Sequence, residues 1–170
     1  MRRAANDGGL RPMFRQHLRS VGLWTTIETG LVTQGVPDSY LLLRARDPRD
    51  SLARSAWIEH KWTDGWKIGS LKPSQVGWIY SHWLYGGAAL IAVRRSSQGG
   101  PRSGPPCDDL YLISGEFARE LKRDGLKDVA LLLHERGGPS AWSWFAVQMV
   151  LESTEWLCRG TSSRALPLDA

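Results

Sequence analysis

The sequence is poor in cysteine, and its two cysteines, Cys107 and Cys158, have neither a CxxC spacing nor an obvious histidine partner. A zinc site is therefore not expected, and no disulfide framework is implied. Long apolar runs are also lacking: none could span a bilayer, and no apolar segment follows the basic N-terminal residues as it would in a secretory signal. We therefore expect no membrane partner and a cytoplasmic location, which for a viral protein would be the host cytoplasm.

The composition is that of an ordinary globular chain. Its 170 residues, of which 42% are hydrophobic and 23% charged, predict a single domain over 1–170 with a hydrophobic core. Residues 1–11 and 96–106 are polar and rich in glycine, so we expect both segments to be flexible. The net charge of +5 is compatible with a polyanionic partner without requiring one. The nine tryptophans either fill the core or stack on nucleic-acid bases.

Hydrophobic periodicity predicts an alternation of helices and strands. Helices are expected over 12–28, with a break near Gly22, over 74–85 and over 115–124, and strands over 40–46, 56–61, 88–93 and 109–113. Segment 129–133 fits a strand or the end of a helix. The hydrophobic period of the apolar segment 141–157 does not distinguish a helix from a strand. This order predicts a mixed α/β layer architecture.

The strand over 56–61 carries the strongest chemical signal. Side chains alternate along a strand, so Glu59 and Lys61 share one face and His60 lies on the other. Alone, Glu-x-Lys is common on solvated strand faces. Asp38, however, begins the preceding strand and can lie opposite Glu59 in a meander. Two carboxylates held that close repel each other unless a cation lies between them, and Mg²⁺ prefers such ligands together with water. A nearby lysine can assist the attacking water, so these residue types suit phosphodiester hydrolysis.

Pro37-Asp38 followed by Glu59-His60-Lys61 resembles the PD-(D/E)XK nuclease superfamily, and the resemblance covers roughly residues 28–95. It implies a restriction-endonuclease-like mixed β-sheet core flanked by helices. Glu28 resembles the helix-borne glutamate that many members add to the metal site, and Gln75 resembles the glutamine or lysine on the helix after the Glu-x-Lys strand. Many relatives have an apolar residue at the position of His60. The resemblance implies that only the backbone carbonyl there binds the metal, and we expect the His60 ring to have a satisfied packing role.

The pattern is most similar to the phage and archaeal-type Holliday junction resolvases and to the VRR-type nucleases. It implies a homodimeric, Mg²⁺-dependent endodeoxyribonuclease that acts on branched DNA in recombination, with Mn²⁺ able to substitute. The implied catalytic residues are Glu28, Asp38, Glu59, Lys61 and Gln75, and the metal ligands are Asp38, Glu59, Glu28 and the His60 carbonyl. The alternatives are a VRR-type flap or structure-specific nuclease, a non-catalytic DNA-binding module on the same fold and, ranked lower, a site-specific restriction enzyme.

Basic residues flank this region of the sequence, and they fit either a track of phosphate contacts or scattered solubilising charge. They are Arg44, Arg46, Arg49, Arg54, Lys67, Lys72, Arg94 and Arg95, of which Arg49, Arg54, Lys67 and Lys72 are the predicted DNA-binding residues. Trp62 and Trp66 could stack on distorted DNA, and a packed lid over the sheet is an equally good interpretation.

Overall fold

A computed structural model of the chain describes residues 7–27, 35–44, 54–101 and 104–153. These residues form a six-stranded sheet with helices on both faces, which confirms the predicted mixed α/β class. The elements, in chain order, are α1 (Leu10–His17), β1 (Gly22–Thr26), β2 (Ser39–Leu43), β3 (Ser55–Thr63), α2 (Pro73–Leu84), β4 (Ala89–Ser97), β5 (Cys107–Ser114), a 3₁₀ turn (Gly115–Phe117), α3 (Ala118–Asp124), β6 (Leu133–Glu135) and α4 (Trp144–Glu152).

The spatial order of the strands follows the chain from β1 to β6. Neighbouring strands are antiparallel except β3 and β4, which run parallel because helix α2 crosses over between them. Pro73 occupies the first turn of α2, where its missing N–H costs no helical hydrogen bond. The β3–α2–β4 unit therefore places α2 over the strand that carries Glu59 and Lys61.

Two hydrophobic layers enclose the sheet. On one face, α1 and α4 contribute Phe14, Val147 and Leu151 to a layer that includes Ile58 and Leu90. On the other face, α2 and α3 contribute Ile79 and Leu121 to a layer that includes Ile91 and Val93. Strand β4 is buried on both faces, as its continuous apolar run predicts.

The predicted helix over 12–28 is wrong beyond His17, because Gly22–Thr26 forms the edge strand β1. Leu18 and Val21 belong to the same hydrophobic layer as Phe14, so their spacing imitates a helical face across a helix, a turn and a strand. Gly22 permits the close approach of β1 to β2, since a Cβ there would collide with the Leu42 carbonyl oxygen.

Parts of both segments predicted to be flexible, residues 7–11 and 96–97, belong to the packed fold. Leu10 is fully buried and begins α1, and the Asp7 carboxylate accepts a hydrogen bond from the Gly9 N–H, so residues 7–11 are packed rather than frayed. Residues 96 and 97 belong to β4, so the loop between β4 and β5 is 98–106, within which Gly100 and Gly104 form a bridge. Among the described residues, no helix is both long enough and apolar enough to cross a membrane.

Candidate active site

Asp38 and Glu59 face each other across strands β2 and β3. The register pairs Ser39 with Ile58, so one step further along the ladder Asp38 lies opposite Glu59. Asp38 Oδ2 accepts a hydrogen bond of 3.2 Å from the His60 N–H, and the Asp38 carbonyl accepts one of 2.9 Å from the Ile27 N–H. Asp38 is thus anchored from both neighbouring strands, and the predicted pairing of the two carboxylates is confirmed.

The Glu59 carboxylate is completely buried, and its two oxygens have different surroundings. Oε1 accepts hydrogen bonds of 2.6 Å from Lys61 Nζ and 2.6 Å from Gln75 Nε2. Oε2 is buried and has no hydrogen-bond partner among the described residues. An acceptor in that position is costly unless a cation or a proton satisfies it.

The surroundings of Glu59 disfavour its ionised form. Burial, followed by the negative charge of Asp38, raises the pKa of Glu59 from its usual 4.5 to about 7, although the Lys61 ammonium opposes the rise. A carboxyl that binds a proton this readily is also a strong candidate for a metal ligand, because a divalent ion would relieve both the burial and the repulsion. Glu59 Oε2, which has no partner among the described residues, and the Asp38 carboxylate are therefore the oxygens that could hold a hard cation such as Mg²⁺.

The number of acidic ligands in the described residues is limited. Within 7–27, 35–44, 54–101 and 104–153, no three His, Cys, Asp or Glu side chains converge as a metal-binding group. Glu28, the predicted third carboxylate, lies outside the described residues, so its role as a metal ligand stays a prediction. Mg²⁺ commonly keeps several water ligands and needs only one or two protein carboxylates.

Lys61 and Gln75 orient the Glu59 carboxylate from two directions. Lys61 follows Glu59 on the same strand face, and its side chain is only 6% exposed, so the ion pair is shielded from water. Gln75 reaches Glu59 from the first turn of α2, while its Oε1 accepts the Lys72 N–H at 3.0 Å. One glutamine therefore both caps the start of α2 and fixes the carboxylate beneath it. The structure brings four predicted site residues together: Asp38, Glu59, Lys61 and Gln75.

The His60 ring lies on the opposite face of the sheet, as strand alternation predicts. It packs edge-on against Phe14 with ring centroids 5.1 Å apart, and complete burial lowers its pKa from 6.5 to about 3. Neither ring nitrogen has a hydrogen-bond partner among the described residues. The packing role is therefore confirmed, but the expectation that the ring would be satisfied is wrong. The metal-binding role of the His60 carbonyl stays a prediction.

The predicted basic track is largely engaged in internal contacts. Arg94 forms two 2.7 Å hydrogen bonds to the Asp108 carboxylate, and Arg95 is buried with its guanidinium 3.8 Å from the Trp66 ring centroid. Arg54 donates to the Glu152 carbonyl and Lys67 to the Arg123 carbonyl. These contacts hold elements of the fold together. The burial of Arg95 corrects its interpretation as a phosphate contact, whereas a phosphate contact at the partly exposed Arg94 stays a prediction.

Two further predicted phosphate contacts, Arg46 and Arg49, lie outside the described residues, as does Cys158. Lys72 is exposed at the start of α2, beside the site, and Arg44 is exposed at the end of β2. The prediction of DNA contacts at Lys72 and Arg44 is therefore compatible with their exposure.

The two tryptophans proposed to contact DNA have protein neighbours. Trp66 lies between Arg95 and Lys127, both within cation–π distance, so it forms part of the packed lid. Trp62 is 41% exposed, and its ring packs so closely on Gly8 that a side chain there would collide with it. The lid interpretation holds for Trp66.

A different group of aromatic rings adjoins the carboxylates. Trp57 precedes Glu59 by two residues on the same face, and its ring lies 4.9 Å from Tyr40 and 5.2 Å from Trp78. Trp78 stacks on His82 at 4.8 Å, one turn further along α2. Strand alternation places Trp57 on the face of Glu59, and helical spacing places Trp78 and His82 on one face of α2 with Gln75, but neither pattern predicts that the rings of the two elements meet.

Comparisons of the chain with protein-family models, with curated proteins and with solved structures find no match. What can be argued about function therefore depends on the residues of the site themselves.

Proposed function

We propose that the chain is a metal-dependent endodeoxyribonuclease whose centre is the Asp38–Glu59 pair. The observation that carries the proposal is the geometry of Glu59. Its Oε1 accepts hydrogen bonds from Lys61 and Gln75, whereas its Oε2 has no hydrogen-bond partner among the described residues and lies beside the Asp38 carboxylate. A buried glutamate with one unsatisfied oxygen, beside a half-buried aspartate and a lysine, suits cation binding next to a reacting phosphodiester.

Each side chain has a distinct part in the proposed reaction. Asp38 and Glu59 bind the cation, which supplies Lewis acidity and a hydroxide nucleophile when bound. The His60 carbonyl and Glu28 complete the ligand set by resemblance. Lys61 keeps the Glu59 carboxylate in place and offers its positive charge to the negative charge that develops on the phosphate. The Gln75 amide donates the second hydrogen bond to Glu59 Oε1, so Lys61 and Gln75 both bind Oε1 and neither binds Oε2.

The proposed substrate is branched DNA, with a four-way junction as the leading candidate and a homodimer as the acting species. The support for this finer proposal is the resemblance of the Glu28, Pro37-Asp38, Glu59-x-Lys61 and Gln75 order to resolvases. The basic net charge favours a polyanionic substrate.

Cleavage of labelled DNA tests the proposal. A four-way junction, a flap, a linear duplex and a single strand are incubated with the protein in Mg²⁺, Mn²⁺ or EDTA. We expect cleavage with either metal, none in EDTA, and none by Asp38→Asn or Glu59→Gln. The matched control, Asp128→Asn, removes an exposed carboxylate elsewhere on the surface and should cleave like the parent.

The substrate panel separates the alternatives. Symmetric cutting of the junction supports resolution, whereas cutting of flaps alone identifies a flap nuclease and overturns the junction proposal. If the folded parent cuts no substrate with either metal, hydrolysis is overturned. Salt-dependent DNA binding that persists in Asp38→Asn would then identify a non-catalytic binding module.

A further inference from the structure

We propose that the cleft between α1 and β1 binds the sugar-phosphate backbone of the nucleic-acid strand that enters the carboxylate site. This inference rests on the proposed function, because it takes the substrate of that site to be a polynucleotide. It assigns phosphate recognition to Arg11 and Arg15, which lie outside the basic track that the sequence predicts.

The cleft has a volume of about 190 Å³ and opens at the edge of the sheet. Helix α1 forms one wall with Arg11, Pro12 and Arg15, and β1 forms the other with Trp24, Thr25 and Thr26. The Trp24 indole N–H donates a 3.0 Å hydrogen bond to the Leu18 carbonyl, which orients the ring in this wall. Thr26 is exposed and pairs with Ser39 on the face of the cleft, so its hydroxyl adds a donor that suits phosphate oxygens.

The charge of the α1 wall suits an anion. The helix has the sequence LRPMFRQH and contains no acidic residue. Arg11 is paired with Asp7 at 3.2 Å, but no acidic side chain among the described residues pairs with Arg15, which is exposed. The two arginines are one helical turn apart, about 6 Å along the axis, so each guanidinium can meet a different phosphate of one strand.

The cleft and the carboxylate site share one segment of β2. Ser39, which lines the cleft, directly follows Asp38, and it pairs with Thr26 of β1. Successive side chains of a strand point to opposite faces, so Ser39 faces the cleft while Asp38 faces Glu59. The cleft and the carboxylate site therefore lie on opposite faces of the sheet, beside the same end of β1 and β2. A nucleic-acid strand that passes the outer edge of β1 can contact both sites, whereas a single phosphate ion would need only the cleft.

The salt dependence of DNA binding tests the cleft without relying on cleavage. Fluorescence anisotropy measures the Kd of labelled single-stranded and duplex DNA in EDTA across a potassium chloride series, with the parent, Arg15→Ala, Arg15→Lys and Arg136→Ala. Arg136 is the matched control because it is an exposed arginine just beyond β6, at the opposite edge of the sheet. Thermal melting verifies that every variant is folded, and substitution at exposed Arg15 leaves the buried Asp7 pair intact.

We expect Arg15→Ala to weaken binding roughly fivefold at 0.1 M salt and to lower the slope of log Kd against log salt by about 0.9 for duplex or about 0.7 for single strands. Arg15→Lys should restore most of the slope, and Arg136→Ala should keep the parent value. Equal slopes for parent, Arg15→Ala and Arg136→Ala would overturn the inference, as would a parent that binds inorganic phosphate in the cleft but no DNA. Arg15-dependent DNA binding without Mg²⁺-dependent cleavage would instead overturn the proposed hydrolysis and leave the cleft assignment standing.

Discussion

Without metal, the Asp38→Asn variant should be more stable than the parent. With Mg²⁺ present, the variant should be less stable than the parent. Asparagine keeps an oxygen that can accept the His60 N–H, so the 3.2 Å hydrogen bond is retained and only the negative charge is lost. That charge is the second cause, after burial, of the raised pKa of Glu59. The substitution therefore isolates the repulsion between the two carboxylates.

The magnitude follows from the pKa of Glu59. A rise from 4.5 to about 7 makes the ionised group cost about 3 kcal/mol in the folded state at high pH. Because the pKa of Glu59 is higher in the folded state than in the unfolded state, the protein is most stable below pH 4.5, where Glu59 is protonated in both states. Its free energy of unfolding falls as the pH rises from 4.5 through 7. Burial is the larger cause, so we assign about 1 kcal/mol to Asp38. Asp38→Asn should then raise Tm by about 3 °C at pH 8 in EDTA and by nothing at pH 5, where Glu59 keeps its proton.

Mg²⁺ should reverse the order of stability. A ligand at one hundred times its Kd stabilises a fold by about 2.7 kcal/mol, and the parent should gain this while Asp38→Asn does not. Differential scanning calorimetry at pH 8, with EDTA or with saturating Mg²⁺, measures both effects, and Asp128→Asn controls for the loss of one surface charge. A Tm of Asp38→Asn at or below the parent value in EDTA, or an equal Mg²⁺ response in both proteins, would refute the reasoning.

Three other predictions concern the neighbours of Asp38. The affinity for Mg²⁺, measured by titration calorimetry, should rise about tenfold per pH unit up to about pH 7 and then level off, because the Glu59 proton competes with the metal; an affinity that is flat between pH 5 and 8 would contradict this. Lys61→Ala should lower the single-turnover cleavage rate at least about a hundredfold, since Glu59 loses its 2.6 Å ion pair and the phosphate loses a positive neighbour; an unchanged rate would exclude Lys61 from the reaction. His60→Leu should retain Mg²⁺-dependent cleavage, because the ring packs on Phe14 away from the carboxylates. In the parent, the free energy of unfolding should fall as the pH drops below 6.5, because the pKa of His60 is lowered to about 3 in the folded protein, and His60→Leu should abolish this pH dependence. A folded but inactive His60→Leu variant would show that the ring is needed for cleavage.

Strand alternation and residue chemistry predict most of the candidate site. The period of two places Glu59 and Lys61 on one face and His60 on the other, and the meander places Asp38 opposite Glu59. The placement of Gln75 in the site is implied by the family resemblance, and the structure brings its amide to Glu59 from the first turn of α2. The face of each β3 residue is predicted correctly because strand alternation is a local property of the backbone, whereas the pairing of Asp38 with Glu59 depends in addition on the register of β2 against β3.

The errors arise where tertiary contacts override local patterns. Leu18, Val21 and Trp24 recur at helical spacing, yet Trp24 lies in strand β1, whose β-branched Thr25 and Thr26 favour an extended backbone. The sequence does not show that Arg94 has an acidic partner, but in the fold Asp108 of the neighbouring strand β5 accepts its hydrogen bonds. Pairings between strands of this kind depend on register, which composition does not encode.

The most direct test of the central claim is the binding of Mn²⁺ to the folded protein, measured by electron paramagnetic resonance in the parent, Asp38→Asn and Glu59→Gln. The Asp38–Glu59 centre predicts loss of the free Mn²⁺ signal in the parent at pH 8, competition by Mg²⁺, and at least about tenfold weaker binding in either variant. Equal Mn²⁺ binding by all three folded proteins, or none by the parent, would contradict a metal centre at these carboxylates.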